Sequence, residues 1–251
     1  MSSLYIYGLA RAEERPEAAS LGTGLSGAAL EWVAEGGLAA LVSDSPAEHI
    51  TPTRRSMLTH TAVLERAQQQ RAMLPVRFGT VAPDAATLRQ CLNGNAATLS
   101  AALSSIAGRV ELGVKANWRE DVAFAQLLEE DAGLRRLRDR LRSRPAAETY
   151  AERIELGRKV EAALAARRQA DSAAILARLA PLAERETALK QLDETMILNH
   201  AFLVPRSHEA EFDAAMSALA AEHAARIDFR YVGPVPPYNF VTLHADLFGR
   251  A

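Results

Sequence analysis

Short alternating segments of apolar and polar residues mark the first half of the chain. Leu4 to Leu9 alternates and is rich in Tyr and Ile, a pattern typical of a β-strand. Residues 31–35 and 38–43 flank Gly36-Gly37, which predicts a β-hairpin. The other elements expected in this half are a helix from Thr51 or Thr53 to about Arg71, a strand over 73–81, a helix from 83 to about 107, and a strand over 109–118.

The composition of the chain shifts from Asp121 onward. A helix to about Arg142 begins with acidic residues and ends with arginines, which complements the helix dipole. Pro145 breaks that helix and suits the first turn of a longer one, which ends near Ala180 and has an apolar stripe on one side. The remaining elements expected are strands over 186–194 and 196–204, a helix over 207–225, and strands over 226–232 and 240–244.

These patterns predict an α+β protein with two domains. Residues 1–120 are expected to form an N-terminal α+β domain, and residues 121–251 a domain with long helices. The order helix, strand, strand, helix, strand in the second half is similar to a ferredoxin-like arrangement. In both domains we expect the helices on one side of the sheet.

Composition and charge argue against several classes of function. A net charge of −2 provides no general attraction for nucleic acid or for an anionic membrane surface. No apolar run approaches the roughly 20 residues of a membrane helix, and the first residues do not resemble a signal peptide, so a soluble cytoplasmic protein is expected. Cys91 is the single cysteine, which excludes an internal disulfide and a multi-cysteine zinc site.

The sequence contains no motif that predicts a catalytic, cofactor or metal site. The six histidines do not have the spacing of a known zinc motif. His60 is interpreted as a packed side chain near the apolar face of its helix, which also includes Met57, Leu64 and Ala67. Gly22 to Gly27 matches the G-x-G-x-x-G pattern of phosphate-binding loops, but it leads towards a strand and not into a helix. A flexible loop is the favoured interpretation, and a nucleotide-binding protein or enzyme that uses this loop is the alternative.

Two segments stand out from the alanine-rich background. Leu74 to Val81 is apolar except for Arg77, which we expect to be buried in a structural ion pair or, alternatively, to bind a partner. Arg230 to Val241 contains three prolines and should be stiff and extended. On an extended path Tyr238 and Phe240 share one face, and we expect Phe240 to be mainly structural and Tyr238 mainly at the surface.

The only strongly basic segment is the end of the helix predicted over 121–142. Arg135 to Arg144 contains six arginines without interleaved aromatic residues, so single-stranded nucleic acid is a poor fit. A solvated face of an amphipathic helix is the favoured interpretation, and docking of an acidic protein through Arg136 and Arg140 is the alternative.

Taken together, these residues resemble the gas vesicle protein F/L family. The matches lie in family order along nearly the whole chain: Tyr5-Ile6-Tyr7-Gly8, His60, Leu74 to Thr80, Glu111 to Lys115, Asn199 to Val204 and Gly233 to Val241. The segments L-P-V-R-F-G-T and G-P-x-P-P-Y-x-F are the most specific. This chain has Val235 where the family pattern usually has Trp between two prolines.

The resemblance implies an accessory protein of gas vesicles and not an enzyme. Family members are thought to bind the small hydrophobic shell-forming protein and other accessory proteins during vesicle nucleation and assembly, in the cytoplasm at the growing vesicle. It also implies two α+β domains, the second a modified ferredoxin-like one, with no cofactor and no nucleic-acid, membrane or small-molecule partner. The residues we assign as candidate partner contacts are Arg77, Phe78, Arg136, Arg140, Pro236, Pro237, Tyr238 and Phe240.

Overall fold

A computed structural model describes residues 3–45, 47 and 49–241 of the chain. It confirms the α+β class. The chain divides into two compact units, which are described separately: unit 1 consists of Met1–Glu111 with Gly233–Ala251, and unit 2 of Leu112–Val232.

Unit 1 is built on a five-stranded sheet in the order β2-β3-β1-β4, with β5 also paired to β1. The pairings within this sheet are antiparallel. Gly36 and Gly37 both have positive φ and form the tight turn of the predicted hairpin. The strands are β1 Leu4–Arg11, β2 Leu30–Glu35, β3 Leu38–Asp44, β4 Leu74–Pro75 and β5 Val81–Ala82.

Helices cover both faces of this sheet, so the expectation of helices on one side is wrong for unit 1. Alternate residues of β1 point to opposite faces. Leu4 and Ile6 pack with α2 and α3, whereas Tyr5 and Tyr7 pack with α1. The helices are α1 Arg54–Gln70, α2 Ala85–Gly94 and α3 Ala96–Ile106.

Three predicted elements of unit 1 are confirmed in place, and two of them are divided into shorter elements. Thr53 caps α1 through a capping box with Ser56, as expected for a helix that follows this residue. The helix predicted over 83–107 breaks at Asn95, between α2 and α3. The strand predicted over 73–81 consists of the two short strands β4 and β5, because a turn at 77–80 separates them.

Unit 2 is built on a four-stranded sheet with the strand order β7-β8-β6-β9. With β6 as the first strand, the element order is β-α-β-β-α-β, and the sheet order is that of a ferredoxin-like fold. The strands are β6 Arg109–Trp118, β7 Arg185–Ala188, β8 Met196–Pro205 and β9 Ile227–Val235. The helices are α4 Glu120–Glu130, α5 Ala132–Arg142, α6 Tyr150–Leu179 and α7 Glu209–Glu222.

The helix expected over 121–142 is two helices, since Asp131 ends α4 and caps the first turn of α5. Its carboxylate accepts hydrogen bonds from the backbone N–H groups of Gly133 and Leu134. The long α6 is confirmed with 30 residues. Its apolar stripe is buried only in part, because Tyr150 is 72% exposed and Ile154 is 42% exposed.

The compact units differ from the expected division at residue 120. The sheet of unit 2 needs β6, which precedes that boundary, as its first strand. Residues 233–241 belong to unit 1, where Asn239 hydrogen-bonds to Glu111 and Val235 to Gln68. As limits of independently folding domains, 1–120 and 121–251 stay a prediction.

Candidate functional site

The site begins with two tyrosines of β1 on the sheet face that α1 covers. Tyr5 and Tyr7 are two residues apart in the strand, so both side chains lie on this face of the sheet. The Tyr7 hydroxyl hydrogen-bonds to Ser43 Oγ at 3.0 Å and accepts the Leu25 N–H at 2.7 Å. The two tyrosine rings contact edge to face, with centroids 4.9 Å apart.

His60 joins α1 to these tyrosines and uses both ring nitrogens. The Val76 carbonyl, 3.1 Å from Nε2, can only accept, so Nε2 carries the proton. Nδ1 therefore accepts the hydrogen of the Tyr5 hydroxyl, at 2.9 Å. The Tyr5 oxygen in turn accepts the Gly79 N–H at 3.2 Å. This chain of bonds confirms the packed histidine and fixes its tautomer.

Burial sets the protonation state of this cluster. Desolvation lowers the pKa of His60 to about 4, against the smaller opposing effect of the hydrogen bond to Val76. Burial also raises the pKa of Tyr5 and of Tyr7. At neutral pH the three side chains are uncharged, so the cluster supplies packing and fixed hydrogen bonds and no ready proton acceptor.

The turn at 77–80 places the residues of the first unusual segment at the surface. Thr80 donates its N–H and its hydroxyl to the Arg77 carbonyl, at 3.3 and 2.8 Å. Phe78 is half-buried, and its ring contacts those of Tyr5 and His60 with centroids 6.1 and 5.7 Å apart. The Arg77 side chain is exposed and has no ion pair among the described residues. The expected burial of Arg77 is therefore wrong, because a turn and not a strand carries it.

The closing segment, residues 233–241, meets the same cluster. Glu111, 3% exposed, accepts the Asn239 backbone N–H at 3.0 Å and the Asn239 amide at 2.5 Å. Gln68 donates to the Val235 carbonyl at 3.4 Å. These bonds hold Tyr238 so that its hydroxyl lies 3.3 Å from His60 Nε2. Burial, followed by the carboxylates of Glu65 and Glu111, raises the pKa of Tyr238.

The end of the segment folds in hydrogen-bonded turns and does not follow the expected extended path. The Tyr238 N–H donates to the Pro236 carbonyl, and the Phe240 N–H to the Pro237 carbonyl. Tyr238 is 41% exposed and Phe240 only 7%, which agrees with the expected division between a surface and a structural aromatic. Pro236 and Pro237 are buried, so they support the turn and offer no free surface. Of the strand expected over 240–244, residues 242–244 lie outside the described residues.

The two unusual segments thus converge on one pocket in unit 1, with a volume of about 460 Å³. It is lined by Met57, His60, Thr61, Pro75, Arg77, Phe78, Tyr238 and Val241. Met57 is 51% exposed, although helical spacing placed it on the buried face of α1. Tyr5, Met57 and Glu111 were not predicted as site residues. The alternating pattern of β1 could have indicated that the Tyr5 side chain is buried against α1. No local sequence pattern indicates the pairing of Glu111 with Asn239.

In unit 2, the arginines of α5 divide between two faces of the helix. Arg136 and Arg140 are exposed and line a groove beside α6, where Arg140 lies 3.8 Å from Glu152. Arg135 and Arg142 lie on another face of α5, exposed and without an ion pair among the described residues. On the groove side, Glu152 of the same unit therefore neutralises part of the positive charge of the basic segment.

Several N–H groups of the Gly22 to Gly27 loop are already hydrogen-bonded within unit 1 and are not available to a phosphate. The Gly24, Gly27 and Ala28 N–H groups bond to backbone carbonyls of the loop itself, and the Leu25 N–H bonds to Tyr7. Gly24 lies so close to the Tyr7 hydroxyl that a Cβ at this position would collide with it. The loop continues into β2 and not into an α-helix, so these observations do not favour the nucleotide alternative.

The described residues contain neither a metal-binding cluster nor a helix that could span a membrane. No group of three or more His, Cys, Asp or Glu side chains is arranged to hold a metal ion there. None of the helices in the described part of the chain combines the length and apolar character needed to cross a bilayer.

Comparisons with known proteins point in one direction. The family model described as "Gas vesicle synthesis protein GvpL/GvpF" matches residues 3–242. Gas vesicle protein F of Streptomyces sp. (strain CB03234) is 34% identical over 244 residues, which cover 95% of this chain and 99% of that protein. Gas vesicle protein F of Dolichospermum flosaquae is 30% identical over 206 residues, 81% of this chain and 83% of that protein.

Solved structures agree with these sequence matches. The crystal structure of the gas vesicle protein GvpF from Anabaena sp. PCC7120 superposes with a TM-score of 0.86 at 26% identity, covering 97% of this chain and all of that one. The GvpF structure from Microcystis aeruginosa has a TM-score of 0.80 at 24% identity, and at that identity the likeness concerns the fold alone.

Proposed function

Because the chain belongs to the GvpL/GvpF family of gas vesicle synthesis proteins, we propose that it acts in gas vesicle formation by binding the hydrophobic shell-forming protein. We propose the cytoplasm, at the growing vesicle, as its place of action. Its role is that of a binding protein and not of an enzyme. The pocket in unit 1 is the proposed contact surface.

The observation that carries this proposal is the convergence of the two unusual segments on an open, largely apolar pocket. Met57, Phe78 and Tyr238 expose apolar surface there, on a backbone fixed by the hydrogen bonds of His60 and Glu111. A surface of this kind suits a subunit with a large apolar face, which would aggregate unless another protein covered it. Rigid aromatic residues bind such surfaces with little loss of conformational entropy.

A second contact is proposed on α5 in unit 2. Its exposed arginines, Arg136 and Arg140 among them, would attract acidic surfaces of other gas vesicle accessory proteins by long-range electrostatics. This contact would set association rate and salt dependence more than final affinity.

Co-expression with the shell protein of the same genome tests the proposal. A tagged chain should recover the shell protein, and Tyr238→Ala should reduce recovery at least about fivefold, since truncating an aromatic contact residue costs 1 kcal/mol or more. Tyr150→Ala is the matched control, because Tyr150 is an exposed tyrosine outside the pocket. No recovery of the shell protein by the parent chain would refute the proposal, and equal recovery by both variants would remove the pocket from it.

A further inference from the structure

We infer that the pocket in unit 1 recognises an extended apolar segment that carries an acidic side chain beside the residue it buries, and that Arg77 pairs with that carboxylate. The inference rests on the proposed function and adds the chemistry of the partner's segment. Three features of the pocket carry it: its size and walls, the sign of its charge, and the state of the nearby backbone N–H groups.

Size and walls favour an apolar side chain as the buried group. A volume of about 460 Å³ lies within the range of pockets that bind small ligands or a few side chains. Met57, Pro75, Phe78, Tyr238 and Val241 form most of the lining. Met57 adjusts readily to different shapes, since a methionine side chain is flexible and polarisable.

The charge at the pocket favours an anion next to that side chain. Arg77 is the one charged residue in the lining among the described residues, and its side chain is exposed and without an ion pair there. Because His60 Nε2 carries a proton, the Tyr238 hydroxyl can only accept from it. The Tyr238 hydrogen then has no acceptor in the described part of the chain, so the pocket offers a cation and a donor to its ligand.

The backbone around the pocket favours a carboxylate on a side chain over one at a chain end. Terminal carboxylates are captured by clusters of free backbone N–H groups. At the turn beside Arg77, the Gly79 N–H is bonded to Tyr5 and the Thr80 N–H to the Arg77 carbonyl. With these two N–H groups occupied, the charged guanidinium is the main anion-binding group beside the pocket, and it suits an Asp or Glu on a segment that runs across the pocket mouth.

Overlapping 15-residue peptides that span the shell protein test this inference with the full chain as probe. Peptides that bind should contain an acidic residue within about three positions of a bulky apolar one. Replacing that acidic residue with Lys should weaken binding to the parent chain about tenfold or more, as expected for a close interfacial charge pair. Arg77→Glu should reverse the preference and bind the Lys peptide better than the acidic one.

The matched control is Arg89→Glu, which reverses an exposed arginine of α2 that does not line the pocket. It should keep the parent's preference. If the parent chain recovers the intact shell protein but Arg77→Glu leaves the peptide preference unchanged, the inference is overturned and the proposed function stands. If the parent chain recovers no shell protein, the proposed function fails and the inference fails with it.

A second copy of the chain is the other occupant to test. Sedimentation of the purified parent and of Arg77→Glu should show the same oligomeric state. A dimer that Arg77→Glu dissociates, while Arg89→Glu retains it, would assign the pocket to self-association and overturn the inference.

Discussion

The pocket of unit 1 and the basic helix α5 of unit 2 are two surfaces of opposite construction. The pocket and the buried cluster that adjoins it combine residues from positions as far apart as Tyr5, His60, Phe78 and Tyr238. The basic face of α5 comes from one run of eleven residues, Ala132–Arg142. A local pattern is enough to predict the second surface, whereas the first exists only after distant segments have packed.

The two surfaces also differ in how firmly their residues are held. Around the pocket, Glu111 and His60 are nearly inaccessible and fully hydrogen-bonded. On α5 the charged side chains are exposed, and pairs such as Arg140 with Glu152 add little to stability. Substitutions at the pocket should therefore change folding and binding, and those on α5 should change binding alone.

The largest expected effect follows from Phe240→Ala, which should lower the free energy of unfolding by about 3–5 kcal/mol. Phe240 is 7% exposed, so its removal leaves a cavity beneath the closing segment. Tyr238→Ala, two residues earlier, should cost about 1 kcal/mol or less, because that ring is 41% exposed. Urea unfolding of the full chain followed by circular dichroism measures both. Equal losses would show that the two aromatics are equally structural.

His60 gives a prediction about pH. Its pKa is lowered from 6.5 to about 4 in the folded state, so the unfolded chain binds more protons between these values. Stability should therefore fall as pH drops from 6.5 to 4, by about 3 kcal/mol from this group. His60→Gln keeps an acceptor and a donor and should flatten that part of the curve. Urea midpoints at pH 7, 6, 5 and 4 for both proteins give the comparison, and parallel curves would contradict it.

Glu111 should act in the opposite direction over a neighbouring pH range. Burial raises its pKa above 4.5, against the hydrogen bonds from Asn239. A carboxyl with a raised folded pKa loses stability as pH increases through that range, so Glu111 partly masks the effect of His60.

Removing Glu111 tests how the closing segment is held. Glu111→Ala leaves two Asn239 donors without their acceptor and should cost about 1–3 kcal/mol. Limited proteolysis should then cut within residues 233–241 faster than in the parent chain. Asn95→Ala is a suitable control, since Asn95 also makes side-chain hydrogen bonds but lies between α2 and α3. Unchanged cleavage would mean that Phe240 and the buried prolines are sufficient to hold the segment.

The contrast between the two surfaces explains which predictions succeeded. Periodicity located β1, the hairpin, α1 and α6, since their apolar patterns are local. It placed Arg77 in a buried strand, because the turn at 77–80 depends on hydrogen bonds to Tyr5 and Ile6 of β1. It also placed Met57 on the buried face of α1, although the adjoining space is the open pocket. The bond of Asn239 to Glu111 joins residues 128 positions apart, and no local pattern encodes such a pair.

The smallest effect on stability is expected on α5. Arg136→Glu with Arg140→Glu should change the free energy of unfolding by no more than about 0.5 kcal/mol beyond the loss of the weak Arg140–Glu152 pair, because both side chains are exposed. If this face docks acidic accessory proteins, their binding should weaken and respond less to salt, since the attraction is screened over roughly 10 Å at 0.1 M. Arg135→Glu with Arg142→Glu is the matched control on the other face of the helix. If binding is lost only in the control variant, the docking face lies away from the groove. If the salt dependence of binding is unchanged in both double variants, the arginines form only a solvated surface.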